Sequence, residues 1–266
     1  MSADRERLRA TFDEAADLYQ DARPNYPERL FDRVVELAGL RAGDSVLEVG
    51  AGPGKATLPL ARRGLRITAL EPGPSLAAHA RQNLRGFPVE VVGLRFEDWP
   101  GPWGAYAAVV AATAWHWVDP ARRYELAAAT LRPGGHLATW GAEHVFPVGG
   151  DLIFDEFQQV YEAIGEGPPG PAPRPKPGQL QDNRKEIEAS GLFDVLAVEH
   201  FDWTVDYDAA SYLRLLSTFS GHIAMPTDRR ERLYAEIRKL LSERPSGRLR
   251  RGWGAVLHVA RRRDQP

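Results

Sequence analysis

The feature that most constrains this chain is a glycine-rich turn, Glu48-Val49-Gly50-Ala51-Gly52-Pro53-Gly54, between an apolar strand pattern and a helical pattern. Glycine has no Cβ, so a backbone with three glycines at a spacing of two can approach a ligand closely. The first turn of the following helix also offers N–H groups that no helical carbonyl accepts. Glu71 ends the next strand pattern, 21 residues after Gly50. A carboxylate at that place can accept hydrogen bonds from both hydroxyls of a ribose, so the pattern predicts a nucleotide-like ligand.

The residues around the turn separate three kinds of nucleotide site. A Walker A loop needs glycine at position 49 and Ser or Thr at position 56, where this chain has Val49 and Ala56. A dinucleotide-binding G-x-G-x-x-G pattern needs glycine at position 55, which is Lys55. The observed form is acidic-x-Gly-x-Gly-x-Gly. A glycine-rich turn that binds nothing remains the alternative.

Strand and helix patterns alternate through the first half, which predicts a parallel sheet with helices on both faces. The strand patterns are Ser45–Gly50, Arg66–Glu71, Pro88–Gly93, Tyr106–Ala112 and His136–Trp140. The helix patterns are Gly54–Arg63, Ser75–Leu84 and Asp119–Leu131. In the last of these, Asp119 is the expected N-cap and Pro120 the first helical residue.

The regions before and after this alternation show other secondary-structure patterns. Residues 4–39 are helical in pattern but broken at residues 23–27, and the Gly/Pro run at 165–178 predicts a loop, either an active-site flap or a passive connector. The remaining helix patterns are Gln181–Ser190, Asp208–Phe219 and Thr227–Arg244, and the remaining strand patterns are Asp194–Val205 and Gly252–Ala260.

The glycine turn resembles motif I of class I S-adenosylmethionine-dependent methyltransferases, and Pro133-Gly134-Gly135 resembles the turn before their fifth strand. The resemblance implies an α/β, Rossmann-like seven-stranded methyltransferase sheet whose last strand is antiparallel. It also implies three regions along the chain. They are N-terminal cap helices at 1–40, the S-adenosylmethionine-binding domain at 41–205 and 249–266, and a helical insertion between the last two strands at 206–248.

The same resemblance implies a set of cofactor-binding residues. Glu48 would position the turn, and the backbone of Gly50, Ala51 and Gly52 would pass under the methionine moiety. Glu71 would hold the ribose, and Pro72 would lie beside the adenine. The remaining expected cofactor contacts are Gly54 in the turn, Phe96 and Glu97 after the third strand, and Ala112 at the end of the fourth.

A narrower resemblance is to type 11 and trans-aconitate methyltransferase-like enzymes. Tyr19-x3-Arg23-Pro24-x-Tyr26-Pro27 resembles an N-terminal cap motif that closes over the cofactor. In this resemblance Tyr19 and Arg23 would contact the cofactor. The guanidinium of Arg23 suits the methionine carboxylate, because its planar group can pair with both oxygens. Tyr26 would face the acceptor.

His116 is the candidate general base, since a neutral imidazole near the reacting methyl group could take a proton from the acceptor. A role in lining the pocket is the competing interpretation. The candidate acceptor-pocket residues are Tyr26, Trp115, Trp117, Glu143, His144 and His222.

The expected reaction is S-adenosylmethionine-dependent methyl transfer to a small-molecule acceptor, on an O, N or C atom that the sequence leaves open. The alternatives are a non-methylating reaction on the same fold and a non-enzymatic binding role. A net charge of −2 argues against a nucleic acid partner, and no His/Asp/Glu spacing predicts a metal site. The chain has no cysteine, no signal-peptide pattern and no apolar run of membrane-spanning length, so a cytoplasmic protein without a membrane partner is expected.

Overall fold

The computed structural model describes residues 22–167 and 174–264. Tyr19 and residues 1–21 of the expected cap lie outside the described residues, as do residues 168–173 of the Gly/Pro run.

The described chain is built on one seven-stranded sheet with the order β3-β2-β1-β4-β5-β7-β6. Strands β1 to β5 pair in parallel, and β7 pairs antiparallel with both β5 and β6. The expected Rossmann-like sheet with an antiparallel last strand is therefore confirmed. The strands are β1 (Ser45–Val49), β2 (Arg66–Leu70), β3 (Val89–Val92), β4 (Tyr106–Ala112), β5 (Leu131–Val145), β6 (Phe193–Asp208) and β7 (Arg248–Arg262).

Helices cover both faces of this sheet, as the apolar strands require. Strand β4, of sequence YAAVVAA, is buried over its first six residues, because it lies in the middle of the sheet with apolar clusters on each face. The helices are α1 (Glu28–Leu37), α2 (Thr57–Arg62), α3 (Pro74–Asn83), α4 (Arg123–Thr130), α5 (Ile153–Ala163), α6 (Arg184–Ala189), α7 (Ala209–Leu216), α8 (Ser220–Ala224) and α9 (Thr227–Ser242).

Among the element boundaries that differ from the sequence-based prediction, two have clear local reasons. Helix α4 begins at Arg123 and not at Asp119, because Asp119 accepts a hydrogen bond from the Ala121 N–H and forms a turn before the helix. Strand β5 already pairs at Leu131 with Tyr106, and residues 132–135 form a bulge inside the strand. The glycine-rich turn predicted before the fifth strand is this bulge.

A third apolar cluster lies beyond the carboxyl edge of the sheet. It is formed by α7 and α9, which connect β6 to β7, and by α5, which the sequence analysis did not predict. Phe157 of α5 stacks on Tyr212 of α7 with ring centroids 5.5 Å apart. We call residues 209–247 the helical insertion; β6 and β7 extend further into this region than their sequence patterns indicate.

The entry into the helical insertion depends on a capping box. The Asp208 carboxylate accepts a hydrogen bond from the Ser211 N–H at 2.7 Å, and the Ser211 hydroxyl accepts one from the Asp208 N–H at 3.0 Å. We expect Asp208→Ala to lower the free energy of unfolding by about 1 kcal/mol. Asp208→Asn is the matched control, because asparagine is an equally good N-cap, and it should cost far less in urea denaturation. Equal losses in the two variants would mean that the cap is not what stabilises this junction.

Candidate active site

A cavity of about 630 Å³ opens at the carboxyl edge of β1, β2 and β4. Open α/β sheets bind their ligands at this edge, beside the point where the strand order reverses. Ten of the residues predicted for the site line the cavity: Arg23, Gly50, Gly52, Glu71, Pro72, Phe96, Glu97, Ala112, His116 and Trp117.

The glycine turn forms one wall of the cavity and packs closely against the end of β4. Gly50 has a φ of +68°, and a Cβ on it would lie 2.5 Å from the Cβ of Ala114. The N–H groups of Gly50 and Ala51 both donate to the Leu70 carbonyl, at 2.9 and 3.0 Å. The turn is therefore held against β2 and β4 by contacts that leave no room for a side chain at position 50.

Glu71 connects two backbone segments at the base of the cavity. One carboxylate oxygen accepts from the Gly52 N–H and the other from the Gly73 N–H, both at 2.8 Å. The side chain is buried but lines the cavity. These two bonds fix the carboxylate in position at the base of the cavity.

Glu48 lies in β1 beneath the turn and does not line the cavity. It is 1% exposed, and neither of its carboxylate oxygens has a hydrogen-bond partner in the described part of the chain. Burial raises the pKa of Glu48 to about 8, the nearby Thr57 hydroxyl lowers it in part, and the Glu71 carboxylate adds to the rise. Its role in positioning the turn remains a prediction. Gly54 also lies off the cavity, with its Cβ direction filled by Leu84 at 3.0 Å.

The opposite wall is built by two short 3-10 turns, Phe96–Asp98 and Trp115–Trp117. A Glu97 carboxylate oxygen accepts from the Asp119 N–H at 2.9 Å and so joins the two turns. The rings of His116 and Trp117 lie 4.8 Å apart at the cavity wall. Phe96 is buried, and its ring contributes an apolar surface.

Trp115 is predicted for the acceptor pocket, but it does not line the cavity and packs, half-buried, against the core. Its ring packs against Tyr124 and Phe96, at centroid distances of 5.6 and 6.4 Å. The guanidinium of Arg123 lies 5.9 Å from the same ring. A 3-10 turn points successive side chains in different directions, which explains why His116 and Trp117 reach the cavity and Trp115 does not.

The segment before α1 closes the site from the side of the helical insertion. Arg23 donates to the Thr218 hydroxyl at 2.8 Å and to the Thr218 carbonyl at 2.9 Å. Its guanidinium lies 4.2 Å from the centre of the Phe219 ring. These contacts join the N-terminal segment to the insertion across the mouth of the cavity.

A second, small cavity of about 50 Å³ lies on the other side of the glycine turn and is lined by Tyr26, Ala51, Thr113 and Trp253, among others. The hydroxyls of Tyr26 and Thr113 are 2.6 Å apart. Thr113 has a φ of +54°, a conformation that non-glycine residues seldom adopt and that is often found at functional sites. The predicted site residues Tyr26 and Ala51 therefore border this smaller space.

Three other predicted pocket residues line neither of these two cavities. Glu143 is exposed at the end of β5. His144 packs between the rings of Phe146 and Phe154, where burial and the charges of two arginines lower its pKa to about 2. His222 is buried in the insertion, hydrogen-bonded to the hydroxyls of Tyr161 at 2.9 Å and Tyr234 at 3.3 Å, and burial lowers its pKa to about 4.

Sequence reasoning missed several residues that line the main cavity. Thr113 directly follows β4, so its place at the carboxyl edge could have been found from the strand pattern. Phe219 and Ser220 come from the insertion, and only tertiary packing brings them to the cavity. The missed lining residues include Leu76, Leu94, Arg95, Thr113, Phe219 and Ser220.

Within residues 22–167 and 174–264 there is no group of three or more His, Asp or Glu side chains arranged to hold a metal ion. The helices in these ranges include none with the length and apolarity that crossing a bilayer requires.

The comparisons with known proteins agree with this geometry. Residues 46–135, which contain the glycine turn, Glu71 and both 3-10 turns, match the model of a methyltransferase domain. An uncharacterized methyltransferase of Mycobacterium tuberculosis is 29% identical over 248 residues, which cover 92% of this chain and 91% of the relative. The chain therefore carries a methyltransferase domain at residues 46–135. The resemblance of the chain to the type 11 and trans-aconitate-like subgroup stays a prediction.

Solved structures share the fold of the chain. A protein described as a type II methyltransferase from Anaeromyxobacter dehalogenans superposes with a TM-score of 0.65 at 24% identity, covering 90% of this chain and 97% of that one. The [4+2]-cyclase SpnF superposes with a TM-score of 0.51 at 21% identity, covering 91% of this chain and 83% of that one. Because the same fold occurs in a cyclase, the fold does not specify the reaction.

The close approach at Gly50 gives a prediction with a matched control. Gly50→Ala adds a methyl group that overlaps Ala114 and strains a positive φ, and we expect it to lower the free energy of unfolding by roughly 2–4 kcal/mol. Gly39→Ala adds the same methyl group at a φ of +58° with no atom within 4 Å, so it should cost only the strain, about 1 kcal/mol. Equal losses in urea denaturation would show that the packing against Ala114 is unimportant.

The raised pKa of Glu48 gives a pH prediction. The carboxyl ionises near 4.5 in an unfolded chain but near 8 in the folded protein. Between these values the folded state holds a proton that the unfolded state releases, so this group makes the free energy of unfolding fall as pH rises, by at most about 1.4 kcal/mol per pH unit. Glu48→Gln should remove this fall, measured by urea denaturation at about pH 5 and about pH 7.5. Parallel pH profiles of the wild type and the variant would contradict the assignment.

Proposed function

We propose that the chain binds S-adenosylmethionine in the main cavity and transfers its methyl group to a small-molecule acceptor. The observation that carries the proposal is the Glu71 carboxylate at the base of the cavity, which is fixed by the N–H groups of Gly52 and Gly73. It stands beside a backbone turn that has no room for a Cβ at Gly50. The fixed Glu71 carboxylate suits the hydroxyls of a ribose. The glycine backbone beside it leaves space for the extended methionine moiety joined to that ribose.

The rest of the cavity supports this ligand by its size and its chemistry. Its volume of about 630 Å³ falls in the range of small-molecule sites. The apolar side chains of Pro72, Leu94 and Phe96 offer a slot for the adenine. The turn residues Gly50 and Gly52 would lie along the methionine moiety, and Arg23 is the candidate partner for its carboxylate.

The acceptor would enter between the sheet edge and the helical insertion. Phe219 and Ser220 of the insertion line the same cavity as Thr113 and His116. This enclosure favours a small molecule over a macromolecule, because a bulky acceptor could not pass beneath the insertion. The N-terminal segment at 1–40 and the insertion would form the cap, and the sheet and its helices the cofactor domain.

When bound, S-adenosylmethionine supplies an electrophilic methyl group on a sulfonium. The protein's own contribution is to orient the acceptor in line with that group and to exclude water, which the aromatic rings of Trp117 and Phe219 favour. His116, on the cavity wall, is the candidate to take a proton from an acceptor hydroxyl or amine.

Calorimetric titration with S-adenosylmethionine and S-adenosylhomocysteine tests the proposal. We expect micromolar binding by the wild type and an affinity at least about tenfold lower in Glu71→Ala. The variant removes the hydrogen-bond acceptor for the ribose and the acceptor for the Gly52 N–H. Glu90→Ala is the control. It removes the same charge, and Glu90 is exposed on the neighbouring strand β3.

Unchanged affinity in Glu90→Ala together with the loss in Glu71→Ala supports the site. Failure of the wild type to bind either ligand would overturn the proposed function. Binding that Glu71→Ala leaves intact would mean that the cofactor lies elsewhere.

A further inference from the structure

Arg251 is a buried cation that has no anionic partner among residues 22–167 and 174–264. It lies in β7 and is 7% exposed. No carboxylate in the described ranges forms an ion pair with it, and its Nε has no hydrogen-bond partner there. Its one side-chain hydrogen bond, to the Tyr212 hydroxyl, is long at 3.5 Å.

A comparison within the chain shows how unusual this is. Arg123 is the other buried arginine of the described residues, at 9% exposed, and it forms an ion pair with Glu186. Burying an unpaired charge is unfavourable, so buried guanidinium groups are normally paired. Arg251 therefore carries one positive charge that the described protein does not compensate.

Arg251 lines neither cavity of the site itself, but it contacts one aromatic ring that lines each of them. Its guanidinium lies 4.5 Å from the ring centre of Trp253, which lines the small cavity. It lies 5.5 Å from the ring centre of Phe219, which lines the main cavity. Cation–π attraction to two rings offsets part of the cost of burial, but it supplies no hydrogen-bond acceptor for the guanidinium.

The other polar groups near Arg251 do not supply an anion either. Burial, with a smaller contribution from the charges of Arg251 and other arginines, lowers the pKa of His144 and His222, whose imidazoles stay neutral at pH 7. Burial raises the pKa of the Tyr161, Tyr207 and Tyr212 hydroxyls, so these groups are neutral as well. The described groups around Arg251 are aromatic rings, neutral polar side chains and further arginines such as Arg23, which also packs on Phe219, and no carboxylate among them pairs with Arg251.

We propose that Arg251 binds a carboxylate of the methyl acceptor, so that the acceptor is a small aromatic or apolar monocarboxylate. This rests on the proposed function, since it names the acceptor class for that site. A planar guanidinium matches a carboxylate in a bidentate pair, and a single uncompensated charge matches a monoanion better than a phosphate dianion. The rings of Phe219 and Trp253 would pack on the rest of the acceptor.

The carboxylate is an anchor in this arrangement, and the methylated atom lies elsewhere on the acceptor. Strand β7 is antiparallel to β5, and Gly252 pairs with Val145 beyond the end of β4. Arg251 precedes Trp253 by two residues, about 7 Å along the strand, on the side away from the glycine turn. The acceptor would therefore extend from Arg251 past Trp253 toward Thr113 and the cofactor methyl.

Binding of paired probes to the protein loaded with S-adenosylhomocysteine tests the proposal. The probes are benzoate and phenylacetate, their neutral amides benzamide and phenylacetamide, and inorganic phosphate, each at millimolar concentration. We expect the carboxylates to bind at least about tenfold more tightly than the amides and phosphate, and Arg251→Met to remove this preference. Arg250→Met is the matched control, because Arg250 is the exposed next residue of β7, is paired with Asp206, and carries the same charge.

Three results would overturn the proposal: no preference for carboxylates over amides in the wild type, a preference that survives Arg251→Met, or weaker S-adenosylhomocysteine binding in Arg251→Met. The last would mean that Arg251 holds the cofactor. Failure of the wild type to bind S-adenosylhomocysteine would instead count against the proposed function.

A stability comparison tests the role of Arg251 without any ligand. If the charge is kept for an acceptor, Arg251→Met should melt no lower than the wild type, because an uncompensated buried cation is removed. Arg123→Met, which leaves Glu186 without its partner, should melt several degrees lower. An equal drop in both variants would make Arg251 a structural residue and would overturn the proposal.

Discussion

The site depends on one steric constraint, the close approach of the β1–α2 turn to the end of β4. Gly50 and Ala114 meet at a distance that excludes any Cβ on residue 50. Because the same turn donates two hydrogen bonds to Leu70 of β2, three adjacent strands are held together at one point of the sheet edge. The cavity exists because backbone, not side chains, occupies this point, and Glu71 then fixes the turn from the β2 side.

The central part of the fold could be predicted from the sequence because its signals are local. The glycine turn, Glu71 and the apolar pattern of Tyr106–Ala112 are each readable within one strand and its following turn, and the parallel sheet follows from their alternation. Nine of the ten predicted residues that line the cavity lie at or after the ends of parallel strands, and the tenth, Arg23, comes from the segment before α1. Where a boundary was wrong, as at Asp119, a short side-chain-to-backbone hydrogen bond replaced the first helical turn.

The remaining parts of the site could not be predicted, because long-range packing determines them. Trp115 and Trp117 are two residues apart in one 3-10 turn, yet one packs against the core and the other lines the cavity. Phe219 lines the cavity from the insertion, and the guanidinium groups of Arg23 and Arg251, from two distant segments, lie 4.2 and 5.5 Å from its ring. His222 was expected at the acceptor pocket from its position in the insertion, but two tyrosine hydroxyls hold it inside the helical cluster.

The most direct test of the central claim is a crystal structure of the protein with S-adenosylhomocysteine bound. The account predicts that the ribose hydroxyls lie within hydrogen-bond distance of the Glu71 carboxylate and that the homocysteine moiety runs along Gly50 and Gly52. Density for the ligand in any other place, such as the surface groove between residues 147–152 and Arg250, would contradict the assignment of this cavity as the cofactor site.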